Sequence, residues 1–153
     1  MVRSRIPSRR ISSRPIPNRP ISSRVHGLID YAAGAALAAT PDAMGWHGPT
    51  RRLLHGAAVG SAAYALATDY EFGAVPLLSL DQHLAIDAAQ GLGFLAAAAL
   101  LTDAPRSARF VMAGYGLFAL TVATLTERRP RAAAEADLIR REDAARLSMA
   151  GET

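Results

Sequence analysis

Four stretches without a formal charge constrain this chain more than any other feature of its sequence. They are rich in alanine and glycine, and they cover residues 31–41, 53–68, 88–102 and 110–126. With the polar turns in front of them they are about 16 to 21 residues long, and a helix of that length spans most of a bilayer core at ~1.5 Å per residue. The second and fourth stretches lack the charged face of a helix in a soluble bundle. The sequence therefore predicts an all-α fold of four transmembrane helices, with a soluble four-helix bundle as the alternative.

Charge is concentrated at the two ends of the chain, which sets the predicted domain boundaries. Residues 1–24 contain seven arginines, four prolines and no acid, whereas residues 127–153 contain six arginines and six acids. We predict a disordered basic N-terminal arm over 1–24, a four-helix transmembrane domain over 25–126, and a charged cytoplasmic tail over 127–153 that forms an amphipathic surface helix. Because the net charge of +4 comes mostly from these ends, we expect no nucleic-acid partner.

The position of the arginines predicts the orientation in the membrane. An even number of spans places both termini on one side, and the arginine-rich ends assign that side to the cytoplasm. The expected localisation is therefore the inner membrane of a bacterium, as a multi-pass protein.

A motif with histidine, aspartate and glycine at intervals of four residues occurs twice. It reads HGLIDYAAG at 26–34 and HLAIDAAQG at 83–91, and the two copies lie 57 residues apart. The second and fourth apolar stretches end alike, in Thr-Asp and Thr-Glu. We predict a duplicated helical hairpin, with repeat one over about 25–69 and repeat two over about 82–127. Because each unit has two spans, the hairpins are parallel and related by an approximate twofold axis along the membrane normal.

The duplication predicts a cluster of four ionisable residues. His26 and His83 fall at the same depth near the cytoplasmic ends of helices one and three, and Asp30 and Asp87 lie one turn deeper on the same faces. One interpretation is a structural polar clasp, because a buried carboxylate costs several kcal/mol unless it is paired. The alternatives are a divalent metal ion such as Zn²⁺, a haem held between the two histidines, and a path for protons.

Small residues predict close approach between helices. Gly56 and Gly60 form a Gly-x-x-x-Gly pair, and Gly34 and Gly91 occupy the last position of the repeated motif. We expect these four glycines at helix contacts.

The arginines of the N-terminal arm predict contact with a partner protein or with anionic lipid headgroups. Each arginine near the surface of an anionic membrane contributes about 1 kcal/mol to membrane attraction. The residues concerned are Arg3, Arg5, Arg9, Arg10, Arg14, Arg19 and Arg24.

The chain resembles small bacterial four-helix membrane proteins of the Ser-Pro-Trp (SPW) repeat type. In that family a hairpin begins with His-Gly-x-x-Asp-Tyr and ends its first helix with Ser-Pro-Trp. Here residues 26–31 match the first motif, and Thr40-Pro41 stands at the second, without the tryptophan. LATDYEFG at 66–73, followed by HLAID at 83–87, is similar to the junction between the family's repeats. The resemblance covers about 25–126 and implies four membrane helices, but no chemistry.

The sequence contains no nucleophile–base–acid set, phosphate-binding loop or cofactor fingerprint, and it has no cysteine. These features argue against an enzyme, and we expect no cofactor unless the His/Asp pairs bind a metal or haem. We predict a non-catalytic integral membrane protein, an accessory or assembly subunit that docks on a larger membrane complex through its tails and helix faces. The alternative is a membrane protein that binds a metal or haem, or passes protons, through the duplicated His-x-x-x-Asp pairs.

Overall fold

The computed structural model describes residues 19–128 and 139–144, and this part of the chain is all-helical, as predicted. The four long helices are α1 (Ser23–Ala43), α2 (Gly48–Leu66), α3 (Leu80–Leu100) and α4 (Arg106–Leu125). Residues 139–144 are also helical. No strand occurs within these two ranges, which contain only two isolated β-bridges.

Two sequence predictions fall largely outside the described residues. Most of the N-terminal arm lies there, including Arg3, Arg5, Arg9, Arg10 and Arg14. So does most of the predicted C-terminal surface helix, apart from 139–144. The arm and the tail therefore stay predictions.

Serine side chains begin both helices that carry the repeated motif. Ser22 precedes α1, and its hydroxyl accepts a hydrogen bond from the backbone nitrogen of Val25 at 3.3 Å. Ser79 precedes α3 and forms a reciprocal capping box with Gln82, in which each side chain accepts from the other residue's backbone. These caps satisfy backbone N–H groups that the first helical turn leaves without partners. They set the register of the His/Asp motif, which starts four residues after each serine.

The helices pack in two pairs, α1 on α2 and α3 on α4. The closest approach lies between Gly91 of α3 and Gly116 of α4, where a Cβ added to Gly91 would lie 2.9 Å from the carbonyl oxygen of Gly116. Gly34 makes a looser contact, with the corresponding position 4.0 Å from the carbonyl oxygen of Ala58.

Gly56 and Gly60 do not have the predicted role within the described chain. A Cβ at either position would meet no heavy atom within 4 Å. The reason is that α2 turns this face away from α1, so the Gly-x-x-x-Gly pair contributes no helix contact here.

A cluster of apolar side chains fills the end of the bundle opposite the capped helix starts. Its largest members come from all four helices and from the turn after α1, and they are Leu37, Trp46, Leu54, Phe94 and Met112. Large apolar residues also face outward, with 70% of Val59 and 72% of Phe110 exposed. Two of the described helices, α3 and α4, are long and apolar enough to cross a membrane.

The two halves of the chain close on each other in equivalent ways. Ile21, before α1, pairs with Thr126 after α4, and Leu78, before α3, pairs with Thr68 after α2. The partners are 57 or 58 residues apart from their counterparts, like the two motifs. Four backbone hydrogen bonds repeat the correspondence: Ile21 N to Leu125 O at 3.2 Å, Leu78 N to Ala67 O at 2.8 Å, Glu127 N to Ile21 O at 2.8 Å and Asp69 N to Leu78 O at 2.8 Å.

Candidate metal centre

The four ionisable residues of the duplicated motif lie together at the capped end of the bundle, as predicted. Each of His26, Asp30, His83 and Asp87 offers one ligand atom, and these atoms all lie within 4.8 Å of one another. The imidazoles are completely buried, and the carboxylate side chains are only 10% exposed. The structure thus brings two imidazoles and two carboxylates into one secluded site.

Each histidine contacts the aspartate of its own helix and that of the other half. The Nε2 atom of His26 lies 3.3 Å from Oδ1 of Asp30 and 3.1 Å from Oδ2 of Asp87. The Nε2 atom of His83 lies 3.1 Å from Oδ2 of Asp30 and 3.3 Å from Oδ2 of Asp87. The imidazole rings meet edge to face, with centroids 5.1 Å apart. This crosswise pairing joins α1 to α3.

A threonine sets the tautomer of His26. The Nδ1 atom of His26 lies 2.8 Å from the hydroxyl oxygen of Thr126. That hydroxyl donates its single proton to the carbonyl oxygen of Val122 at 2.7 Å. It therefore accepts from the ring, and Nδ1 of His26 carries the proton.

The same arrangement occurs in the other half. The Nδ1 atom of His83 lies 2.8 Å from the hydroxyl of Thr68, which donates to the carbonyl oxygen of Tyr64 at 2.6 Å. Each threonine thus orients one ring and directs its Nε2 atom toward the carboxylates. A hydrogen bond from the second ring nitrogen is the usual means by which a protein orients a metal-binding histidine.

The Nε2 atoms of His26 and His83 are buried and form no hydrogen bond. Carboxylate oxygens lie only 3.1–3.3 Å from them, so the mismatch is one of direction and not of distance. Each ring nitrogen points between the oxygens instead of at one of them. Buried nitrogen atoms without partners are rare, and here two of them converge on two carboxylates.

This donor set fits a divalent metal ion of the Zn²⁺ class, which imidazole nitrogen and carboxylate oxygen bind at about 2.0–2.2 Å. Around a tetrahedral ion, neighbouring ligand atoms at such bond lengths are roughly 3.3–3.6 Å apart. The observed nitrogen–oxygen spacings of 3.1–3.3 Å are close to that value. Two carboxylates also balance the charge of a divalent cation in this buried setting.

Two tyrosines donate to the carboxylates from outside the cluster. The Tyr64 hydroxyl donates to Oδ1 of Asp87 at 2.7 Å, and the Tyr70 hydroxyl donates to Oδ2 of Asp30 at 3.2 Å. Tyr70 lies in the linker between α2 and α3 and is completely buried. Burial first, and then the charge of Asp30, raises the pKa of the Tyr70 hydroxyl above its ordinary value, so this group stays protonated and remains a donor.

The α2–α3 linker covers the site at the capped end. A Cβ on Gly27 would lie 2.5 Å from the ring of Tyr70 and 2.9 Å from the ring of Phe72. The Tyr31 hydroxyl donates to the carbonyl oxygen of Phe72 at 3.0 Å. The His-Gly and Asp-Tyr dipeptides of the first motif therefore hold the linker over the cluster, and Gly27 is needed because no side chain fits beneath the rings.

A second polar network lies deeper in the bundle. The Gln90 amide nitrogen donates to the hydroxyl of Ser61 at 3.0 Å and to that of Tyr115 at 2.9 Å. Phe94, one turn further along α3, belongs to the apolar cluster. Within residues 19–128 the polar groups thus end at an apolar layer, which does not favour a proton path across the bundle.

The haem alternative does not fit the site. A haem between two axial histidines needs space for its macrocycle between the rings, but here the two carboxylates lie against both Nε2 atoms. The cavity beside the cluster has a volume of only about 20 Å³. The two rings are too close together, and the space is already filled.

Two arginines of the predicted arm fall within the described part. The guanidinium of Arg19 donates to the carbonyl oxygen of Thr126 at 3.1 Å, which ties the start of the chain to the end of α4. Arg24 is exposed on the first turn of α1. The carboxylates of the cluster are met by histidine and tyrosine.

The supporting residues Thr68, Thr126, Tyr64 and Tyr70 were not identified from the sequence. One signal was present, because Thr68 and Thr126 close the two repeats at equivalent positions. The tyrosines left no such signal, since Val122 stands where the second repeat would have a counterpart of Tyr64. Comparisons with protein families, curated proteins and solved structures find no match to this chain.

Proposed function

We propose that this protein is a multi-pass membrane protein that binds one divalent transition-metal ion of the Zn²⁺ class between its two halves. The ligands are His26, Asp30, His83 and Asp87. The observation that carries the proposal is the pair of buried Nε2 atoms that converge on two carboxylates without forming a hydrogen bond to either.

The direction of the two ring nitrogens favours a metal ion over a clasp of ion pairs. In a clasp, each protonated Nε2 would point its N–H group at a carboxylate oxygen, because buried ion pairs offset their desolvation only with well-directed hydrogen bonds. A metal ion instead requires the lone pairs to meet at a point between the ligands, and the rings of His26 and His83 have that arrangement.

We further propose that all four long helices cross the bacterial inner membrane, as two parallel hairpins of the SPW-repeat type with both termini in the cytoplasm. The equivalent closing bridges and the outward-facing apolar side chains support this arrangement. The metal ion then lies near the cytoplasmic end, where it joins repeat one to repeat two. Such a site stabilises the contact between the hairpins, and the protein is non-catalytic on this proposal.

Docking on a larger membrane complex stays a prediction from the two charged ends of the chain. The exposed apolar side chains of α2 and α4 are compatible with a neighbouring helix as well as with lipid. Extraction in a mild detergent should recover the protein together with a larger partner. Recovery as a free monomer would count against docking.

Metal analysis of the purified protein tests the central proposal. The protein is extracted in mild detergent, stripped with a chelator, dialysed against Zn²⁺ and measured by elemental analysis. We expect about one Zn²⁺ per chain, and at least a tenfold loss of affinity in His83→Ala and in Asp87→Asn, because each removes one of four ligands.

The chain offers a matched control at the other end of the bundle. His55 lies 3.7 Å from the carboxylate of Asp42, and both side chains are substantially exposed. His55→Ala removes a histidine from a His–Asp pair without touching the cluster, so its Zn²⁺ content should equal that of the wild type. Equal metal content in wild type, His83→Ala and His55→Ala would mean that the cluster is a clasp and not a metal site.

A further inference from the structure

A small cavity adjoins the four ligands on their deeper side. Its volume is about 20 Å³, which is enough for one water molecule, since roughly 10–15 Å³ of this measure suffices. Its polar wall consists of Asp30, Asp87, Ser61, Tyr64 and Tyr115. The cavity therefore lies between the carboxylates of the proposed metal centre and the deeper polar network.

The hydroxyl groups around the cavity have hydrogen-bonding capacity left for a small polar molecule. Tyr64 uses its proton on Asp87 at 2.7 Å, so its oxygen remains able to accept. The Tyr115 oxygen accepts from the amide of Gln90 at 2.9 Å and still carries a proton of its own. A buried water typically has two to four polar partners, and the wall of this cavity supplies that number.

We infer that the cavity holds an oxygen ligand of the metal ion, a water or hydroxide, as a fifth ligand beside the four protein ligands. The inference rests on the proposed metal function. The ion contacts the oxygen from the side of Asp30 and Asp87, and the hydroxyls of Tyr64 and Tyr115 contact it from the other side. An exchangeable position distinguishes such a centre from closed structural sites, in which protein ligands occupy every position.

The size and chemistry of the cavity limit the ligand to a small oxygen species. The remaining wall is apolar and includes Ala33, Phe118 and Ala119, which leaves no room for an organic acid or a nucleotide. Two hydroxyl groups and two carboxylates suit a molecule that both donates and accepts hydrogen bonds. Water and hydroxide meet both conditions.

The experiment uses the full-length protein in detergent, with Co²⁺ loaded in place of Zn²⁺. Electron–nuclear double resonance is recorded in water enriched in oxygen-17. We expect hyperfine coupling to one directly bound solvent oxygen in the wild type. Ala119→Val adds two methyl groups to the cavity wall and should abolish this coupling while the Co²⁺ content stays at one per chain.

Ala35→Val is the matched control, because Ala35 is exposed on α1 and does not line the cavity. It should keep both the Co²⁺ and the oxygen-17 coupling. Bound Co²⁺ without solvent coupling in the wild type would overturn the open position and leave the metal centre intact. Failure of the wild type to bind either ion would remove both. Coupling that persists in folded Ala119→Val would show that the solvent ligand lies outside this cavity.

Discussion

Two threonines carry more of the site's geometry than their size suggests. The hydroxyls of Thr68 and Thr126 each accept from an imidazole and donate to a carbonyl of the preceding turn. Because the donor and acceptor roles are then used, each ring has one tautomer and one orientation. The threonines thereby prepare two nitrogen atoms as ligands before any ion binds.

Thr126→Val tests this orienting role. Valine has nearly the shape of threonine but offers no acceptor to Nδ1 of His26, so the ring loses its fixed orientation. We expect the affinity for Zn²⁺ to fall by about 10- to 100-fold, measured by competition with a chromophoric chelator. The control is Thr121→Val on the same helix, whose hydroxyl is exposed and donates to Leu117 at 2.8 Å. An equal effect of both substitutions would contradict the orienting role.

At the scale of the helices, the pairing of α3 with α4 depends on two glycines that face each other. The carbonyl oxygen of each lies within 3 Å of the place where a Cβ on the other would stand. The approach is therefore between backbones, which neither helix can relieve by turning a side chain. In the α1–α2 pair, Gly34 has its nearest neighbour at 4.0 Å, so that contact tolerates more change.

Gly91→Ala should consequently separate α3 from α4. The added methyl group would lie 2.9 Å from the carbonyl oxygen of Gly116, and overpacking of this kind costs about 1–3 kcal/mol. Thermal unfolding in detergent, followed by circular dichroism, measures the loss. Gly93→Ala, on the same helix, meets no atom within 4 Å and should leave stability unchanged or raise it, because alanine favours a helix. A similar loss in both variants would place the cause in the helix itself.

At the scale of the whole molecule, the polar cluster joins the two halves at one end of the bundle, and the apolar cluster joins them at the other. The His/Asp cluster links α1 to α3, and the threonines bring in α2 and α4. A metal ion at this position would be a bridge between two pairs of helices. Its binding and the folding of the domain are then coupled.

Removal of the metal should therefore destabilise the fold. An ion present at 100 times its dissociation constant adds about 2.7 kcal/mol to the stability of the state that binds it. We expect EDTA to lower the midpoint of thermal unfolding of the Zn²⁺-loaded wild type and to leave that of His83→Ala unchanged. A chelator effect of the same size in both proteins would assign the stabilisation to a different site.

Lipid as the surrounding solvent is a property of the whole molecule as well. The outward apolar residues and the composition of α3 and α4 predict that the protein stays in the membrane pellet after a carbonate wash. Release into the supernatant would favour the soluble bundle. A cytoplasmic cysteine introduced after α4, for example at Arg128, should be labelled only when the membrane is permeabilised from the cytoplasmic side.

The sequence by itself determined the helical class, the four helices and the duplication that brings the His/Asp pairs together. These features follow from local patterns: apolar length, serine caps, and the spacing of four residues that stacks side chains on one helix face. Only the tertiary structure decided that Gly91 is a helix contact and Gly56 and Gly60 are not, because an empty face and a packed face have the same sequence pattern.

The tertiary structure also decided which groups orient the histidines. Thr126 lies 100 residues from His26 along the chain, and no local pattern relates the direction of a ring to a hydroxyl so far away. Whether a buried histidine points at a carboxylate or between two of them depends on rotamers and on contacts through space. That difference in direction, which separates an ion pair from a metal ligand, arises only when all four helices are packed together.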